Sequence, residues 1–170
     1  AEKELACVLT QAKIPLVLDA DALNILSKHP DWLKKGDTPK ILTPHMGEMV
    51  RLSGHSVEEL KQKPLELAAA YAKEHEVILV LKDARTVVTD GERIVLNTTG
   101  NNGMATGGSG DVLTGIITGL LAQGMAPFEA AVSGVYLHGL AGDRAAENTG
   151  VRGMLSTDLL KELPGVLKEG

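Results

Sequence analysis

The chain has 170 residues and a mass of 17.9 kDa, enough for one domain that buries about 70% of its unfolded surface without disulfide or metal staples. At 44% hydrophobic and 23% charged residues it falls outside the disordered class, and at 2% aromatics it lacks the stacking faces that a single-stranded nucleic-acid platform needs. A net charge of −5, a single cysteine (Cys7) and no apolar run near 18 residues argue against a nucleic-acid partner, a Cys-based zinc cage and a membrane span, and point to a reducing, cytoplasmic setting.

Taken in chain order, Leu5, Val8, Leu9 and Ala12 recur at helical spacing, and residues 14–18 form a short apolar run that predicts a strand buried on both faces. A helix is predicted over 21–28 and a second strand over 40–43. Helices follow over 45–53, 57–62 and 64–75, the last opened by Pro64. Residues 77–81 predict the third strand. Residues 86–89 and 93–96 predict two strands joined by a tight turn at Asp90-Gly91. A Gly/Asn/Thr-rich loop spans 97–110. Two long helices come next, 111–123 with Gly124 placed to stop it and 127–147 opened by Pro127. A last helix is predicted over 157–168, with Ser156 or Thr157 as its N-cap. Strand–helix alternation plus one hairpin predicts an α/β fold with a mostly parallel sheet. The chain opens at Ala1 inside a predicted helix, as a fragment or processed form would.

The densest chemical signal is the run from Asn97 to Asp111. Glycines 107, 108 and 110 allow backbone amides to converge at a helix start, where the helix dipole adds partial positive charge, and together these make an anion site. Asp111 then stands beside the bound anion. That juxtaposition opposes ground-state phosphate binding, but it suits a carboxylate that takes a proton from a hydroxyl attacking a phosphoryl group. A Walker A loop is excluded, because no lysine occurs between 97 and 111. A nucleophile elbow would need glycine where Asp111 stands. The plain alternative is a flexible connector in which Asp111 only favours the helix start.

The sixteen residues from Gly100 to Gly115 (GNNGMATGGSGDVLTG) resemble the signature of the ADP/ATP-dependent NAD(P)H-hydrate dehydratases, a branch of the ribokinase-like superfamily. Thr43-Pro-His-Met-Gly-Glu48 is similar to that family's Thr-Pro-His-x-Gly-Glu motif, with Met46 where proline is common. Its His45 would line the hydrated-nicotinamide pocket; read alone, the segment is also a helix start with Glu48 favourable to the dipole. Residues 82–86 resemble the family's Lys-Gly-x-x-Thr nucleotide segment, with Asp83 in place of glycine, where a positive φ would carry strain. Residues 19–24 (DADALN) resemble another family motif, in which Asp19 and Asp21 would face a magnesium-bound phosphate. Asp21 is equally suited to plain N-capping, and no metal ligand is assigned outright. Residues 136–143 (YLHGLAGD) are also family-like, with Gly134, Gly139 and Gly142 allowing close helix packing and His138 structural rather than catalytic.

The resemblance implies a single ribokinase-like domain over 1–170 that lacks the family's N-terminal portion. It implies dehydration of NADHX and NADPHX with ADP, or ATP, as co-substrate and Mg²⁺ as cofactor. Asp111 would be catalytic and, with His45, substrate-binding. Lys82, Asp83, Ala84, Arg85, Thr86, Asn101, Gly103, Met104, Gly108, Ser109 and Gly110 would bind the nucleotide, although Met104 also reads as a core filler. Without the early strands, the sheet edge near residues 14–18 would need cover from another copy or a partner chain. Alternative readings are a ribokinase-like kinase of a vitamin precursor, of the hydroxymethylpyrimidine or hydroxyethylthiazole type, and a catalytically silent nucleotide-binding module.

Overall fold

A computed structural model describes residues 1–168. By its packing the chain divides into two compact units, Ala1–Leu96 and Asn97–Gly170.

The first unit is built on a five-stranded sheet in the order β1 (Leu16–Leu18), β2 (Lys40–Leu42), β3 (Ile78–Leu81), β4 (Val87–Thr89), β5 (Ile94–Leu96). The first three strands run parallel, with Val17 opposite Ile41 and Leu42 opposite Leu79. The last two form an antiparallel hairpin continuing from β3, with Val80 opposite Val88 and Val88 opposite Val95. β2 and β3 are buried at every position, which explains why their sequences are nearly unbroken apolar runs rather than alternating ones. Lys40 fits this strand because its ammonium donates to the carbonyls of Gly36 and Thr38, and burial holds its pKa below the usual lysine range.

The hairpin turn is made by Asp90 and Gly91. The Asp90 carboxylate accepts the amides of Glu92 and Arg93 and the Arg93 guanidinium, while Gly91 sits at φ +93°. A β-carbon at Gly91 would also come within 2.6 Å of the Lys73 β-carbon, so both backbone and packing require glycine there.

β1 departs from expectation. It covers only Leu16–Leu18, Leu16 and Val17 are half-buried, and Ile14 is 70% exposed. The reason is position: among the described residues β1 pairs with β2 alone, so its outer side is an edge.

Helices α1 (Glu2–Gln11), α2 (Asp21–Leu26), α3 (Met46–Ser53), α4 (Val57–Gln62) and α5 (Pro64–His75) complete the unit, with a 3-10 turn over Pro30–Lys34 that the apolar pattern did not signal. Leu9, Leu23, Leu26, Leu33, Leu42, Met49, Leu60, Leu79 and Leu81 form its core. Each buried aliphatic side chain contributes about 1.5–3 kcal/mol against exposure. Asp21 is not the cap of α2. It is the first helical residue, and the cap position is Ala20, whose backbone is left-handed at φ 50°. Asp83 has no such conformation: among the described residues Ala20 and Glu76 are the positive-φ residues other than glycine, so the strain expected at Asp83 does not arise.

The second unit holds a 3-10 turn over Asn102–Met104 and helices α6 (Ser109–Ala122), α7 (Pro127–Thr149) and α8 (Ser156–Val166). α6 begins two residues earlier than the apolar stripe predicts, since Gly108 takes the cap position. Its buried face is Ser109, Val112, Leu113, Ile117 and Leu120. Gly134 on α7 lies against Ile117, where a β-carbon would approach the Ile117 side chain to 2.6 Å. Gly139 and Gly142 do something different from the helix packing expected of them: they face Thr99 and Met104, so they seat the preceding loop. No helix among the described residues is long and apolar enough to cross a membrane.

Helix α8 also corrects the expected cap. Ser156 and Thr157 lie inside the helix, Leu155 holds the cap position, and Asp158 reaches back so that its carboxylate accepts the Leu155 amide at 2.9 Å. The Lys161 ammonium and that amide hold the Asp158 carboxyl below its ordinary value. A carboxyl lowered by folding stabilises the fold above its unfolded pKa and ceases to do so as pH falls through the folded one. The variant Asp158→Asn is therefore expected to be less stable than wild type at neutral pH and to converge with it below about pH 4, as read by urea unfolding at several pH values.

Candidate active site

Three parallel strands of the first unit end together, and each is followed at once by a polar residue: Asp19 after β1, Thr43-Pro-His45 after β2 and Lys82 after β3. This carboxyl edge is where open parallel sheets bind ligands. The ladders continue a little beyond the strands, for the Thr43 amide donates to Leu18, the Lys82 amide to Pro44 at 2.8 Å, and His45 bridges Lys82. The Lys82 ammonium contacts Asp19 Oδ1 at 3.1 Å.

His45 opens the helix, as the segment read alone allows. It caps α3, with Nδ1 accepting the amides of Gly47 at 3.0 Å and Glu48 at 3.3 Å, and it still stands at the sheet's carboxyl edge with its side chain 56% exposed. Because Nδ1 accepts, the neutral ring carries its proton on Nε2. Buried Glu48 completes a capping box, with Oε2 accepting the His45 amide at 2.8 Å and Oε1 lying 3.5 Å from Nε2. Glu48→Ala strips the partner from that amide. It is expected to cost about 1–2 kcal/mol in denaturant unfolding and to loosen the imidazole from its set orientation. Of the residues in the candidate nucleotide segment, Asp83, Ala84 and Arg85 are exposed, and Thr86 is half-buried with its hydroxyl on the Asp83 carbonyl.

In the second unit, the loop before α6 is held by Asp143, a residue that the sequence placed in a motif without giving it a task. Its Oδ2 accepts the Gly100 amide at 2.9 Å and its Oδ1 accepts from Asn101 Nδ2 at 3.0 Å. Asn101 also donates to the Gly142 carbonyl and accepts the Gly103 amide, so it is fully engaged in building the turn. Met104 packs with its sulfur against Gly100 and Gly142 and joins the small core of Val112, Ala145, Met154 and Leu159. The partners of Asp143 lie 43 and 42 residues away, so no local pattern signals the contact.

Gly108 is left-handed at φ +85°, which turns the chain into α6 and leaves Ser109, Gly110 and Asp111 in the first helical turn. The amides of that turn have no carbonyl within their own helix; that of Ser109 donates to the Thr106 carbonyl at 3.2 Å, which leaves those of Gly110 and Asp111 to an anion. Ser109 is buried and fixed. His138 Nε2 lies 3.0 Å from the Ser109 carbonyl and 3.2 Å from its hydroxyl, and since a carbonyl only accepts, Nε2 carries the proton. His138 is thereby a support of the turn, as expected. Asp111 is exposed, and among the described residues it is the one charged residue lining an open groove of about 480 Å³ whose other walls are mainly apolar residues of α6 and α8, among them Ile116, Leu120, Leu160 and Leu163.

Magnesium finds no protein cage here. Among the described residues no three His, Cys, Asp or Glu side chains cluster as a metal site, and Asp19 is paired with Lys82.

Comparison with known proteins agrees with the motif reading. The family described as NAD(P)H-hydrate dehydratase matches residues 2–165. The chain is 51% identical over 163 residues to the bifunctional NAD(P)H-hydrate repair enzyme of Moorella thermoacetica, covering 95% of this chain and 31% of that protein. It is 38% identical, with a TM-score of 0.84, to the crystal structure of the Bacillus subtilis ADP/ATP-dependent NAD(P)H-hydrate dehydratase co-crystallized with ATP/Mg²⁺ and soaked with CoA, covering 95% of this chain and 58% of that one. A ribokinase-like superfamily protein from Enterococcus faecalis superposes with a TM-score of 0.85 at 34% identity, covering 99% of this chain and 58% of that one. The chain thus spans between about a third and somewhat over half of these relatives. With the match running from residue 2 to residue 165, and with a ribokinase-like α/β fold, this chain belongs to the NAD(P)H-hydrate dehydratase family.

Proposed function

We propose that the protein repairs NADHX and NADPHX, the hydrated reduced nicotinamide cofactors, by dehydrating their S form at the expense of ADP, with release of AMP and phosphate. The observation that carries this reading is Asp111 in the first turn of α6, directly after left-handed Gly108. A carboxylate beside first-turn helix amides suits a reaction in which a proton leaves a hydroxyl while charge grows on a transferring phosphoryl group.

In this mechanism Asp111 removes the proton from the C6 hydroxyl of the hydrate, and that oxygen attacks the terminal phosphoryl group of the nucleotide. The amides of Gly108 and Gly110 stabilise the developing charge, while that of Ser109 holds the turn through the Thr106 carbonyl. An O–P bond forms as AMP leaves; the C6–O bond then breaks and releases phosphate, assisted by the ring nitrogen's electron pair. Loss of the C5 proton restores the dihydronicotinamide. The step solves the problem that hydroxide is a poor leaving group and phosphate a good one. Lys82 to Thr86 would bind the nucleotide, together with Asn101, Gly103, Met104, Ser109 and Gly110, and His45 would face the hydrated ring. Magnesium would arrive on the nucleotide's phosphates with its waters, as suits a cation that sheds water reluctantly, and no step here runs through it. The enzyme would work in the cytoplasm. The one-sided pairing of β1 supports a further stretch of polypeptide, from another copy or a partner chain, adding at that edge.

The test incubates the 170-residue chain with NADHX and either ADP or ATP and follows the absorbance band of reduced nicotinamide. Recovery of that band with stoichiometric phosphate is the expected result, faster with ADP. A stable phosphorylated product with no recovery would move the assignment to a vitamin-precursor kinase.

A further inference from the structure

We propose that Asp19 is a positioning residue that sets the Lys82 ammonium for the nucleotide's phosphates, an assignment that rests on the nucleotide-dependent reading above. Three observations converge on it. Lys82 and Asp19 are brought together across 63 residues of sequence at the ends of β3 and β1, with 22% and 14% of their side chains exposed, so the pair is sheltered rather than a loose surface contact. Their separation is 3.1 Å, a charge-assisted hydrogen bond. The residue after Asp19 is strained: Ala20 holds φ 50° and ψ −116°, and its amide donates back to Asp19 Oδ1 at 2.9 Å. Strain of this kind persists where the surroundings over-determine it, and it clusters at ligand sites.

The chemistry follows from the donor count. A lysine ammonium has three N–H donors on a four-carbon stem and, left alone, spends them on moving water. Anchoring one donor to Asp19 fixes the head at the carboxyl edge of the sheet and leaves the remaining donors for phosphate oxygens. The carboxylate is not a metal ligand in this arrangement, because its charge is already matched by Lys82. Two phosphates therefore benefit more from the pair than one does.

The test measures ADP and AMP binding calorimetrically on wild type, Asp19→Asn, Lys82→Met and the double variant, with and without Mg²⁺, and steady-state dehydration on the same proteins. Asn can still accept the Ala20 amide, so this change removes the ion pair and leaves the strained turn in place. Asp19→Asn is expected to weaken ADP about tenfold, to raise the KM for ADP in step, and to change kcat less than about twofold. AMP binding should move less. Lys82→Met should give a similar loss, and the double variant no more than either single one, because the two act as one unit. Lys82→Arg, which keeps a cation at the pair, should recover part of the affinity. Additive losses in the double variant would overturn the proposal. So would tighter ADP binding in Asp19→Asn, which would make Asp19 a competitor of the phosphates, or a loss seen only with Mg²⁺, which would make it a metal ligand. A wild-type chain without ADP affinity would sink the dehydratase reading and this proposal together, whereas a binding-competent wild type with any of those variant patterns sinks this proposal alone.

Discussion

Asp111→Asn is expected to lower the rate of NAD(P)H-hydrate dehydration by about 10²–10⁴-fold while leaving ADP affinity within about twofold of wild type. The asymmetry comes from where the residue stands. Asp111 is exposed in the first turn of α6, so its replacement removes no core contact, and the lost interaction with the helix dipole is worth less than about 1 kcal/mol. The variant should therefore fold with nearly wild-type stability, and its defect should be chemical. Asn keeps the shape of the side chain but cannot take a proton from the C6 hydroxyl. Calorimetry for ADP and the reduced-nicotinamide absorbance assay read the two halves of the expectation separately. Undiminished turnover would remove Asp111 from the mechanism. Weakened ADP binding with proportionate loss of turnover would make it a binding residue only.

The second large effect is one of opposite signs for the same substitution on neighbouring helices. Gly139→Ala on α7 is expected to destabilise the protein by about 1–3 kcal/mol, whereas Gly119→Ala on α6 is expected to stabilise it by about 0.5–1 kcal/mol. In a helix interior, alanine is favoured over glycine in both cases by backbone entropy. What differs is the space. A β-carbon at Gly139 would stand 2.7 Å from the backbone carbonyl carbon of Thr99, and backbone cannot swing aside as the tip of a side chain can. At Gly119 nothing lies within 4 Å. Thr99 is also the residue whose hydroxyl meets the Tyr136 carbonyl and the Asn97 side chain, so the displaced loop would carry Asn101 and Gly108 with it. Urea unfolding of the two variants should show midpoints on opposite sides of wild type. Gly139→Ala should in addition lose turnover, and equal shifts in the same direction would mean that the loop is not seated on α7 as described.

The turn at Gly108 is where local chemistry and chain topology can be separated most clearly. Four glycines between 103 and 110 announce a backbone that needs unusual freedom, and the apolar stripe of 113, 116, 117, 120 and 121 announces the helix that follows. Which glycine turns left-handed is not written in that spacing. Gly108 does so at φ +85°, Gly103 is required instead by close approach to the Val151 carbonyl, and Gly107 has open space around it. Likewise, the local rule allows several polar residues near the starts of α2 and α8 to serve as caps, and the fold puts Ala20 and Leu155 at those positions. In α8 the carboxylate of Asp158 reaches back to Leu155, and Ser156, free of that task, lies inside the helix against Gly108.

Burial periodicity and turn chemistry are local, so the helix through Leu5, Val8 and Leu9, the elements over 40–43, 45–53, 57–62, 64–75 and 77–81 and the Asp90-Gly91 hairpin could be read from the chain to within a residue or two, as could the glycine-rich turn that ends at Asp111. Pairing across dozens of residues is not local. That Lys82 meets Asp19, that Asp143 ties down the loop before α6 and that Glu48 locks His45 were decided only once the sheet and helices had packed. A carboxylate or an ammonium finds its partner through the geometry of the fold, whereas an apolar stripe or a turn carries its instruction in its immediate neighbours.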